Sequence, residues 1–238
     1  MAEHYIYTID AGNTRLKLGL FNEDQLVSVA QLPLADWRRM ALRPEVKVAT
    51  LMSVSINEEE LAVVLKSKGI EQLQVFNAHS KLPFSSQYQQ VETLGSDRKM
   101  LIHGANKLFP NQNKLIIGMG SCITYDLVNA AGEHLGGDIS PGMHMRWEAM
   151  HRLTARLPRV QMPEAPLSYG RNTFEAMQSG VMAGISSELN GRIAQFGLIL
   201  SELTIILSGG DAEFFEKRID SRIFAEPNLA LYGLHALH

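Results

Sequence analysis

At 238 residues the chain has room for one large domain or two small ones. Its composition, 45% hydrophobic and 20% charged, is that of a globular protein, and its net charge of −3 offers no basic field to nucleic acid or an anionic membrane. A lone cysteine, Cys122, excludes a disulfide framework and a cysteine zinc site; no apolar run is long enough to span a bilayer, and no basic segment leads into an apolar one at the N-terminus, so a reducing cytoplasmic setting is expected.

Residues 5–9 are β-branched and aromatic and read as a strand. Leu16, Leu18 and Leu20 alternate with Arg15, Lys17 and Gly19, the pattern of a second strand with one buried face. Between them Asp10, Ala11, Gly12, Asn13 and Thr14 make a short turn. Gly12 permits a close ligand approach or a positive φ. Asn13, Thr14 and the turn N–H groups can donate to phosphate oxygens, and Asp10 can bind a hydrated Mg²⁺. An ordinary hairpin turn favours the same residues, so the stretch alone supports both readings.

A third strand is expected over 25–29, a short helix over 35–42 and a buried strand over 46–53. Glu58, Glu59 and Glu60 open a helix through Lys68, with acidic side chains at the positive end of its dipole, and Gly69 ends it. Residues 73–76 form another strand. This order predicts an α/β unit, a mixed sheet covered by helices. Residues 82–94, with Pro83 and Tyr88, read as a loop entering a helix from near Ser96 to Phe109. Pro110, Asn111, Gln112 and Asn113 are the best linker, giving expected domains of 1–112 and 113–238.

The opening pattern then repeats. Apolar residues 114–117 lead into Gly118, Met119, Gly120 and Ser121, and a strand over 123–128 follows. A duplicated strand–turn–strand unit would build two similar domains facing across a cleft. Further on, 143–157 reads as an amphipathic helix stopped by Pro158. Residues 173–196 read as a long helix, with Gly180, Gly184 and Gly191 permitting close packing. A strand over 203–207, a turn at Ser208, Gly209, Gly210 and Asp211, and a terminal apolar helix over 228–238 complete the chain.

Several of these stretches together resemble the type III pantothenate kinase family. They are Asp10-Ala11-Gly12-Asn13-Thr14 with Lys17 and Gly19-Leu20-Phe21; Gly95-Ser96-Asp97-Arg98; Gly120-Ser121-Cys122-Ile123-Thr124-Tyr125-Asp126; Gly136-Gly137-Asp138-Ile139-Ser140-Pro141-Gly142; Leu153-Thr154-Ala155-Arg156-Leu157-Pro158; Asn172-Thr173; and Ser208-Gly209-Gly210-Asp211-Ala212. No single stretch is specific, but the ordered set is. The family belongs to the acetate and sugar kinase/Hsp70/actin superfamily, which implies two ribonuclease-H-like domains around an ATP cleft. The implied reaction is transfer of the ATP γ-phosphoryl group to the primary hydroxyl of pantothenate, the first step toward coenzyme A.

The resemblance carries roles residue by residue. Asp10 would hold Mg²⁺ through water, and the turn from Asp10 through Ala11, Gly12, Asn13, Thr14, Arg15 and Leu16 to Lys17 would bind ATP phosphate, together with Ser121. Asp97 matches the catalytic base, and Arg98 can pair with the pantothenate carboxylate. Tyr88, Gly95, Ser96 and Thr173 match the substrate pocket. Capping alone also explains Ser96 and Asp97 at a helix start, and an N-cap role alone explains Thr173. Gly209, Gly210 and Asp211 resemble an adenosine-side loop. The family commonly places an aspartate at Gly118 as ligand for an activating K⁺ or ammonium ion; glycine leaves that site weakened or rebuilt, with Asp126 a replacement by chemistry and a solvated strand-end carboxylate otherwise. Cys122 reads as packing, the histidines show no metal-ligand spacing, and Met143, Met145, Trp147 and Met150 read as core or subunit interface. A homodimer is implied. The rival readings are a kinase of the same fold acting on another small hydroxyl substrate, and a non-catalytic ATP-binding regulator.

Overall fold

The computed structural model describes residues 5–163 and 168–238. Strands β1 (Tyr5–Ala11), β2 (Arg15–Asn22) and β3 (Gln25–Pro33) lead through a 3₁₀ turn, Leu34–Arg39, to β4 (Val48–Ser53). Helix α1 (Glu58–Ser67), β5 (Gln72–Phe76), a second 3₁₀ turn, Val91–Thr93, and α2 (Ser96–Leu108) follow. Next come β6 (Lys114–Met119), β7 (Cys122–Val128), β8 (His134–Pro141), α3 (Met143–Leu153), α4 (Thr173–Gly197), β9 (Thr204–Ser208), α5 (Ala212–Glu216), β10 (Ile223–Ala225) and α6 (Leu229–His235). These elements gather into two compact units. One holds the residues up to Asn111 with Ala131–Leu135 and Asn228–His238; the other holds Gln112–Ala130 and Gly136–Pro227.

The first sheet has the order β3-β2-β1-β4-β5. Its alternation sorts two faces. Tyr7, Ile9, Ala11, Leu16, Leu18 and Leu20 form one core with Trp37, Met40, Leu61 and Leu65. Asn57 caps α1 by accepting the Glu60 N–H at 3.1 Å, and three glutamates in the first turn offset the dipole. The opposite face carries Met52 and Phe76 against Met100 of α2 and Leu234 of α6. Those two helices touch backbone to backbone: a Cβ at Gly104 would stand 2.2 Å from the Leu229 carbonyl, and one at Gly233 would stand 2.0 Å from the Met100 carbonyl. Thr8 lies on this face, since a Cβ on Gly19, its partner across β2, would meet both Thr8 Oγ1 and Leu231. Asp10, two residues on, shares it.

The second sheet has the order β10-β9-β6-β7-β8, the first order repeated with five new strands. The repeat seen in the sequence is thus a repeat of topology. A polar network ties its elements: Tyr125 donates to Glu188 Oε1 at 2.8 Å, and Arg146 pairs with Glu188 while donating to Ser140 Oγ and the Pro141 carbonyl at 2.8 Å each. Trp147, fully buried, donates to the Met177 carbonyl at 3.0 Å.

Several expectations shift. The helix expected to Leu157 ends at Leu153, where Thr154 turns extended and its hydroxyl bonds back to the Met150 carbonyl at 2.7 Å. Strand β3 runs four residues beyond 29 as a mostly exposed strand at the sheet edge, so it shows no alternation. Strand β8 was not expected, because two glycines and a proline interrupt its pattern; yet a Cβ at Gly137 would stand 1.8 Å from the Tyr125 carbonyl, so that glycine is what lets the chain approach β7. Gly180, Gly184 and Gly191 in α4 are exposed and a Cβ on any of them would meet nothing within 4 Å, so they mediate no close packing among the described residues. The tail 228–238, expected in the second domain, packs in the first unit, where α6 finds the apolar face of α2. No helix among the described residues is long and apolar enough to cross a membrane.

Candidate active site

The β1–β2 turn is closed by Gly12 N–H donating to the Arg15 carbonyl at 3.0 Å. Gly12 does not take a positive φ, and a Cβ there would sit 3.4 Å from that carbonyl, an ordinary contact. The fold therefore does not demand glycine at this place. Asn13, Thr14 and Arg15 are exposed, whereas Ala11 and Leu16 are core residues whose offer to a phosphate is backbone alone. A residue that sequence reasoning missed braces the turn: Ser55 donates to the Gly12 carbonyl at 2.7 Å, and Val54 N–H to the Ala11 carbonyl at 3.0 Å. The pair of serines, Ser53 and Ser55, directly after an apolar strand was the available signal. Beside them a hollow of about 490 Å³ is lined by Ser53, Ser55, Asn57 and Glu58 among others.

Asp10 is paired across β1–β2 with Lys17. Burial pushes its carboxyl up to about 6; Lys17 pulls against this, and the charge of Asp97 pushes further in the same direction as burial. The charge of Asp97 thus reaches Asp10 as the smallest of these influences. Their meeting follows from the fold: Asp10 sits at the end of β1 on the face covered by α2, and Asp97 sits in the first turn of α2.

At the start of α2 the cap is Gly95, with no side-chain cap bond, so the capping role expected of Ser96 and Asp97 is not taken up in that form. Ser96 is buried and Asp97 exposed. Asp97 Oδ1 accepts the N–H of Arg98 at 2.9 Å, and a Cβ on Gly95 would stand 2.5 Å from that oxygen. Glycine at 95 makes room for this carboxylate orientation, which leaves Oδ2 for another proton. Arg98 is buried, its guanidinium 5.7 Å from the ring centre of the half-buried Tyr88.

In the second unit, Ser121 is exposed in the β6–β7 turn, closed by Gly120 N–H to the Cys122 carbonyl and held by Gly142 N–H to the Ser121 carbonyl, both 3.0 Å. Gly118 is buried, opposite Thr124 on β7 and Ser208 on β9. Asp126, far from a solvated strand end, is fully buried two places along β7 from Thr124. Gly209 has a φ of +107° and lies against the Met119 carbonyl, so a side chain there is excluded twice. Thr173 is the exposed first residue of α4, but the cap is Asn172, which accepts the Glu175 N–H at 3.0 Å; the threonine hydroxyl is not spent on capping. Met143 and Trp147 are core, while Met145 is exposed.

Among the described residues no group of three or more His, Cys, Asp or Glu side chains gathers to hold a metal. Burial disfavours the charged form of Asp10, the form that a nearby cation would stabilise.

Among solved structures, a conserved Baf family protein from Campylobacter jejuni superposes with a TM-score of 0.60 at 19% identity, covering 97% of this chain and 96% of that one. The inorganic polyphosphate/ATP-glucomannokinase from Arthrobacter sp. strain KM gives 0.50 at 12% identity, over 98% and 99%. Both share the fold, that of the actin-like ATPases. In sequence, the type III pantothenate kinase of Flavobacterium johnsoniae is 35% identical over 232 residues, 96% of this chain and 95% of its own length, and that of Bacteroides fragilis is 34% identical over 96% and 95%. The family model for type III pantothenate kinase matches residues 6–195. With the ordered motifs, the doubled sheet order and these matches along nearly its whole length, the chain belongs to the type III pantothenate kinase family.

Proposed function

We propose that this protein transfers the γ-phosphoryl group of ATP to the primary hydroxyl of pantothenate, the first step of coenzyme A biosynthesis, in the cytoplasm and as a homodimer. The observation that supports the residue assignment is that Asp97 lies in the first turn of α2, the helix packed on the sheet face that carries Asp10, together with membership of the family. Asp97 is the general base. Its Oδ1 is held by the Arg98 N–H, and Oδ2 takes the hydroxyl proton as transfer proceeds. Arg98 meets the pantothenate carboxylate, and Tyr88, Gly95, Ser96 and Thr173 complete the pocket.

The turn from Asp10 to Lys17 and the Ser121 hydroxyl contact the ATP phosphates. Mg²⁺, when bound with ATP, neutralises charge on the β and γ oxygens, and Asp10 would hold it through water. Lys17 opposite Asp10 adds a positive charge on the phosphate side. A nucleotide-binding regulator has no use for a base at Asp97, and a kinase for another hydroxyl substrate would turn over ATP without needing pantothenate.

The test is ADP release with Mg-ATP, with and without pantothenate, on the unmodified protein and on Asp97→Asn. Asparagine keeps the Oδ1 acceptor, so fold and nucleotide binding are expected to persist while turnover falls about a hundredfold or more. Near-normal turnover in the variant would remove Asp97 as base.

A further inference from the structure

We propose that His134 is a positioning residue for the acceptor side of this site, holding residues 84–88 so that Tyr88 is set against Arg98; the inference rests on the pantothenate kinase reading above. His134 is completely buried and clusters with the first unit. Its backbone stitches the segment from both sides: His134 N–H donates to the Ser85 carbonyl at 2.9 Å, and Gln87 N–H donates to the His134 carbonyl at 2.8 Å. Its side chain does the rest. Ser86 Oγ lies 2.9 Å from His134 Nδ1 and accepts the Tyr88 N–H at 3.1 Å.

One hydroxyl can satisfy both contacts when it donates its proton to Nδ1 and accepts from Tyr88, so the imidazole fixes the backbone of Tyr88 through Ser86. The ring also packs on what it positions. Tyr88 stacks on it with centroids 5.9 Å apart, Phe84 meets it edge-on at 6.4 Å, and the far side of the arrangement is the Arg98 guanidinium over Tyr88.

Residues 84–88 belong to no helix or strand of their own beyond the single bridge between Ser86 and His134. The two backbone bonds at His134 survive substitution of its side chain, but the Tyr88 end of the segment then loses the anchored Ser86 hydroxyl, and a shift of about an ångström in a substrate-facing group costs binding or rate. Plain core packing would account for the stacked rings. It would not account for a partly buried relay that ends on the amide of the residue facing Arg98.

The experiment uses the full chain with His134→Phe, which keeps a stacking ring but removes Nδ1, Ser86→Ala, the double variant, and His134→Asn, whose side-chain oxygen can take the Ser86 proton. KM for pantothenate is expected to rise about tenfold in the first two, with KM for ATP unchanged, kcat little altered and no further rise in the double. His134→Asn should restore most of the loss. Amide hydrogen exchange read at Gln87 and Tyr88 should speed up in the same variants, with α2 and the first sheet unchanged. Parallel increases in both KM values, or exchange rising throughout the first unit, would overturn the inference in favour of general destabilisation, and so would unchanged kinetics and exchange. If the unmodified protein fails to turn over pantothenate, the functional reading falls by itself. Unchanged exchange at Tyr88 in the variants would then still overturn the part given to His134.

Discussion

Gly118 occupies the position at which the family resemblance places a cation-binding aspartate, and its surroundings show what remains there. It stands between Thr124 and Ser208 on neighbouring strands, and Thr124 Oγ1 is buried without a hydrogen-bond partner among the described residues. A hydroxyl is a weaker ligand for a cation than a carboxylate, since it brings no charge. Turnover is therefore expected to be about equal in K⁺ and Na⁺ buffers, read in the coupled ADP assay. A strict K⁺ requirement would show that neutral oxygens rebuild the site, with the Thr124 hydroxyl the first to remove. Asp126 is a poor substitute on geometry: it pairs with Ile116 rather than with Gly118, two places further along the ladder.

Helices α2 and α6 owe their contact to two glycines, and α4 carries glycines with no such use. The contrast gives a paired expectation. Gly104→Ala drives a methyl into the Leu229 carbonyl, so the helices must separate, at a cost of about 1–3 kcal/mol or more. Gly180→Ala meets open space inside a helix and should be neutral or stabilising by up to about 1 kcal/mol. Denaturant midpoints for the two variants check both; equal shifts would mean that the helix crossing tolerates side chains after all. Because α2 carries Asp97 and Arg98 at its start, loosening its seat on α6 should also lower activity, whereas the α4 change should not.

Acid sensitivity belongs to the molecule as a whole, through the seam where its tail returns to the first unit. His103 of α2, His235 of α6 and the terminal His238 all have their pKa values lowered, burial being the largest cause in each. Asp24, 3.8 Å from His235, and a backbone bond to His103 only partly offset it. Burial disfavours protonation of these rings in the folded chain, while the unfolded chain protonates them near 6.5. The unfolded state thus binds more protons below that pH, so stability is full above about 6.5 and declines as pH falls through and below it. Melting temperature measured from pH 8 to pH 5 should drop on the acid side, and replacing His238 with asparagine should flatten the slope. Glu188 adds a second acid loss lower down. Burial raises its carboxyl, but bonds from Arg146, Ser140 and Tyr125 hold it below the ordinary value, a stabilisation lost as pH falls through that depressed value.

Sequence by itself determined the strands of the first sheet, the helix starts at Glu58 and Thr173, and a tight turn before Arg15, though Asp10 and Ala11, expected in that turn, lie in β1; each rests on neighbours within a few residues: alternation, capping and turn chemistry. The repeat from Ile117 to Ser121 was visible for the same reason, as a copied local pattern. Only the tertiary structure decided that the tail leaves its expected domain, that β8 exists despite its glycines, that the α4 glycines pack against nothing described, and that Asp10 and Asp97 share one face. It alone placed Ser55 under the Gly12 carbonyl and His134 under Tyr88. These pairs lie more than forty residues apart in the chain, and no local propensity encodes a contact that exists only once the sheet has brought its faces together.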